Sequence, residues 1–87
     1  MIFWVKEWEN NHLVKDITIE MSGEDTRTHK VFDALEKACY ELDLGKPIWL
    51  DYNVKEFKKS ASTKFRKDCF IEEVPFDFLE FSVLEED

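Results

Sequence analysis

The sequence predicts an α+β domain, a small two-layer sandwich with helices on one face of a mixed or antiparallel sheet. Three observations carry that expectation. Apolar residues alternate with period two at both ends of the chain. They recur with period 3.6 through its middle. Eight Phe, three Trp and two Tyr among 87 residues supply the bulk for one core, since each such ring buries on the order of 150–250 Å². Residues 1–87 therefore read as a single domain, and with two Gly and two Pro there is no linker to divide it.

The N-terminal stretch predicts a hairpin. Ile2–Glu9 and Leu13–Met21 are rich in β-branched and aromatic residues and meet at Asn10-Asn11, a pair that tolerates the positive φ of a tight turn. A loop centred there opposes Trp8 to Leu13, Trp4 to Ile17 and Ile2 to Ile19, which gathers large apolar side chains on one face. The same register sets Lys6 against Lys15, a like-charge pair. Beyond Gly23, Val31, Leu35, Ala38 and Leu42 mark an amphipathic helix whose solvated strip is Lys30, Asp33, Lys37 and Glu41. Gly45 and Pro47 end it.

Ile48-Trp49-Leu50 then reads as a short buried strand. Asn53-Val54-Lys55-Glu56 has the spacing of a capping box and predicts a second helix that ends near Ser60-Ala61-Ser62. Thr63–Lys67 reads as an edge strand, and Phe76–Leu84 returns to strand alternation through Leu79, Phe81 and Val83. The expected order is β-β-α-β-α-β-β.

Several function classes lose support from composition alone. No apolar run approaches the roughly 18 residues that cross a bilayer, and the start turns acidic within seven residues, so neither a membrane span nor a signal peptide is expected. Cys39 and Cys69 then read as reduced thiols in a cytoplasmic protein. No two of His12, His29, Cys39 and Cys69 stand three or four residues apart, so no metal site is expected. With Gly23 and Gly45 as the only glycines, no phosphate-cradling loop and no cofactor are expected either. No catalytic residue stands out.

Charge is unevenly spread. Lys55, Lys58, Lys59, Lys64, Arg66 and Lys67 hold half of the twelve basic residues, interleaved with Phe57 and Phe65. That segment could serve as a nucleic-acid strip with stacking rings. A net charge of −8 opposes the idea and favours a lysine-protected edge strand, so nucleic acid is not the expected partner.

Counting faces points elsewhere. If the hairpin buries Ile2, Trp4 and Trp8, then Phe3, Val5, Val14 and Phe78 remain on the far side as an apolar patch. The leading expectation is an interaction or regulatory module acting through protein contacts, self-associating as a homodimer through those four residues. Nucleic-acid binding through 55–67 is the alternative, and a small enzyme with a site formed between subunits is the third.

Thr28–Glu36, Cys39-Tyr40, Asp43-Leu44, Lys46–Asp51, Phe78–Phe81 and Glu85–Asp87 together resemble a family of short uncharacterised proteins of anaerobic bacteria. The resemblance implies a lineage, with no activity, substrate or cofactor attached.

Overall fold

Asn10 and Asn11 adopt φ of 50° and 63°, the doubly left-handed turn that matches strand twist, and they close the first hairpin as expected. This is seen in a computed structural model that describes all 87 residues. The elements are β1 (Ile2–Glu9), β2 (His12–Glu20), α1 (Arg27–Glu41), α2 (Asp51–Ser60), β3 (Ser62–Arg66), a single 3-10 turn (Lys67–Cys69) and β4 (Phe78–Glu85). The four strands form one antiparallel sheet in the order β2-β1-β4-β3. Both helices pack on one face, and the α+β class is as the sequence predicts.

The register of the hairpin holds only next to its turn. Trp8 pairs with Leu13, but Glu7 pairs with Lys15, so Val14 is an extra residue bulged out of β2. Beyond it Phe3 faces Ile19, Val5 faces Ile17 and Lys6 faces Asp16, which removes the Lys6–Lys15 opposition. The bulge also exchanges the two faces of β1. Phe3 and Val5 are fully buried, whereas Ile2, Trp4 and Trp8 lie on the other side, half-buried. The deciding partner is β4, which sets Phe3 beside Val83 and Val5 beside Phe81. The Phe3 and Phe81 rings stack at 5.2 Å. Phe57 of α2 stacks on Phe81 at 5.8 Å, and Trp49 meets Phe57 and Phe65 edge-on.

The α1 stripe is as the period predicts, with Val31, Ala34, Leu35, Ala38 and Cys39 in the core. Thr26 caps its start by accepting the His29 amide at 3.2 Å. Lys30 departs from the solvated strip: its stem is buried and its Nζ meets Asp87 Oδ2 at 2.5 Å. The helix ends before Gly45, at Asp43, whose φ of 58° lets the Leu44 and Asp43 amides return to the Cys39 and Tyr40 carbonyls.

Ile48–Leu50 is an extended passage rather than a strand. Its Ile48 amide donates to the Cys69 carbonyl, and Trp49 drops into the core between the helices. The second helix begins two residues before Asn53. Asn53 is therefore its third residue and fully buried, and its Oδ1 accepts the Leu50 amide at 3.0 Å.

Candidate functional site

Residues of β1 that alternate with Phe3 and Val5 must point away from the helices. With their neighbours they make an open face of three cross-strand rows. The first is Thr18, Trp4, Ser82 and Ser62, the second Asp16, Lys6, Glu80 and Lys64, the third Leu13, Trp8, Phe78 and Arg66. Each row is read in the order β2, β1, β4, β3. The ladder fixes these side chains as neighbours, because directly opposed residues on one face lie only about 4.5–5.5 Å apart.

The polar atoms of the face are engaged with one another. Trp4 Nε1 donates to Asp16 Oδ2 at 2.9 Å and Trp8 Nε1 donates to Glu80 Oε1 at 3.0 Å. Lys6 Nζ sits 3.8 Å from the centre of the Trp4 ring and 5.8 Å from that of Trp8, and 3.3 Å from Glu80 Oε1. Lys64 Nζ lies 4.9 Å above the Phe78 ring. With both indole N–H groups satisfied and both rings pinned by a cation, the face offers prearranged aromatic area. Little side-chain freedom is left for a partner to freeze out.

Of the four expected interface residues, two are misplaced. Phe3 and Val5 are 0% exposed and belong to the core. Their place on the surface is taken by Trp4 and Trp8, through the Val14 bulge. Phe78 does lie on the open face, half-buried, and Val14 is exposed at the bulge itself. The signal for Trp4 and Trp8 was present in the alternation of β1, but both of its faces are apolar and the pattern alone does not choose between them.

The basic segment is split between layers. Lys55, Lys58 and Lys59 are exposed on α2, Lys64 is on the open face and Lys67 is in the 3-10 turn. Arg66 curls round the edge strand to stack on Tyr52 at 5.1 Å, 4.0 Å from Glu56 Oε2. Phe57 and Phe65 are buried and cannot stack on bases.

Both thiols are free and buried. Burial pushes Cys39 up to about 11. Burial raises Cys69 too, against hydrogen bonding from the Tyr52 hydroxyl, which lies 3.0 Å from its Sγ. A reactive cysteine requires a lowered pKa. A cleft of about 240 Å³ between α1 and α2 is walled by Val31, Phe32, Trp49 and Phe57, and a larger, more open hollow of about 640 Å³ lies beside Met1, Lys30 and Asp87. No helix is long and apolar enough to cross a membrane. Against this geometry, comparisons with protein-family models, with curated proteins and with solved structures give no match.

Proposed function

We propose that the protein is a small interaction or regulatory module whose working surface is the open face of its sheet, and that it self-associates as a homodimer. One observation carries the reading: Trp4, Trp8 and Phe78 lie together on a sheet face that neither helix covers. Sheets normally bury a face so rich in aromatic rings, and Trp and Phe are among the residues enriched where proteins meet. Free, buried Cys39 and Cys69 fit a cytoplasmic setting.

Sedimentation velocity at tens of micromolar is expected to show a dimer, and Trp8→Glu a monomer. A clean wild-type monomer overturns the reading. The same face could take single-stranded RNA, with the rings as a stacking platform beside Lys64. The acids Asp16, Glu80 and Glu20 on or beside it favour protein instead. A salt-sensitive micromolar RNA complex abolished by Lys64→Glu would replace the protein reading with that one.

A further inference from the structure

The middle row of the open face alternates in sign: Asp16, Lys6, Glu80, Lys64. Lys6 and Glu80 pair within the chain at 3.3 Å. The outer two sit on the opposite edge strands, and neither is among the ion pairs the chain makes with itself.

We propose that two copies pack open face to open face about a two-fold axis that runs parallel to the strands, between β1 and β4. The proposal rests on the self-association reading above and specifies its geometry. Sheets packed face to face keep their strands within about 30° of each other, which leaves two directions for an in-plane two-fold.

An axis across the strands, along the row, lays each side chain on its own copy: Asp16 on Asp16, Lys6 on Lys6. An axis along the strands reverses the order of the row. Asp16 then meets Lys64 of the other copy, and Lys6 meets Glu80, so all four contacts join opposite charges. In the third row Trp8 meets Phe78, and in the first Thr18 meets Ser62 and Trp4 meets Ser82; no like charges meet in any of the three. A crossing near 30° moves the edge strands by about 4 Å relative to their partners. Asp16 and Lys64 span that distance with side-chain reach.

Size is sufficient. Four strands about 4.8 Å apart and some seven residues long cover roughly 450 Å² in plan. The accessible surface of a pleated face with side chains exceeds its plan, so two copies together reach the ~1,000 Å² of a specific interface. Alternating charge at the centre adds register and selectivity more than affinity.

The test exchanges the two edge charges. Asp16→Lys places its new ammonium against Lys64 at both ends of its own dimer, and Lys64→Glu places its new carboxylate against Asp16 at both ends. Each variant alone is expected to dissociate at least tenfold more readily than wild type in sedimentation equilibrium. An equimolar mixture is expected to recover a dimer containing one chain of each, identified by its mass in native mass spectrometry. Both positions are exposed, so each variant should keep the far-ultraviolet circular dichroism of wild type and melt cooperatively, at a midpoint lowered only by the loss of dimer. If both variants dimerise like wild type, the copies meet about the axis across the strands or through another surface, and the proposal is overturned. If both are monomers and the mixture is too, the axis is wrong while the open-face reading stands. A monomeric wild type overturns both.

Discussion

Asn53 shows how much one buried side chain can organise. Its amide donates to Thr63 Oγ1 at 2.9 Å and to the Lys64 carbonyl at 3.1 Å, while its Oδ1 takes the Leu50 amide and the Cys69 thiol. It thereby ties the start of α2 to β3 and to the 3-10 turn. An exposed N-cap is worth about 1 kcal/mol; removing a buried group with several partners strands each of them, and Asn53→Ala is expected to cost about 2–3 kcal/mol in urea melts. Glu7 is the opposite case, a carboxyl on the inner face that is only 4% exposed. Burial raises it above its ordinary 4.5, against the pull of Lys15. A raised folded pKa means the folded state holds this proton better. Its contribution is therefore fully present below 4.5 and lost as pH rises through the raised value. Glu7→Gln is expected to match wild type near pH 4 and to exceed it at pH 7. Melts at these two pH values, about 4 and about 7, check this, and comparing variant with wild type cancels Glu56 and Glu86. Those two have lowered pKa values and act in the other sense.

Single elements were legible where one stretch of sequence contains all that decides them. The turn at Asn10-Asn11 and the apolar stripe of α1 are of this kind, since both follow from local φ preference and a helical repeat. Boundaries set by tertiary partners were not. Ile48–Leu50 has strand composition but joins no ladder: Ile48 bonds the Cys69 carbonyl, the Leu50 carbonyl serves the start of α2, and Trp49 is drawn between the helices. The end of α1 is set at Asp43, in a left-handed conformation that costs a non-glycine residue about 1 kcal/mol. Asp43→Gly is accordingly expected to raise stability by about 0.5–1 kcal/mol, read as a higher urea midpoint at unchanged slope. β1 is the instructive failure. Ile17 and Ile19 of β2 were assignable to the inner face in either register, but β1 is apolar on both sides. Which side is buried depends on β4, at the far end of the chain.

At the scale of the whole molecule, the arrangement is a one-sided sandwich. The helices complete a core of 17 buried residues on one side, and the other side is finished by its own ion pairs and ring contacts. The candidate site was half legible for that reason: an apolar remainder on one sheet face follows from counting two helices against one sheet, while its membership turned on a single bulged residue. Val14 has one more consequence, for the order in which the chain folds. Left to itself, the hairpin can zip from its turn in the unbulged register, burying Ile2 and Trp4 where Phe3 and Val5 belong. Only pairing with the last strand distinguishes the two. That pairing joins the two ends of the chain and must overcome the entropy of closing nearly the entire length between them. A hairpin that forms early on local contacts is thus the element least able to choose its own register, and the native one is expected to be fixed when β4 pairs with β1.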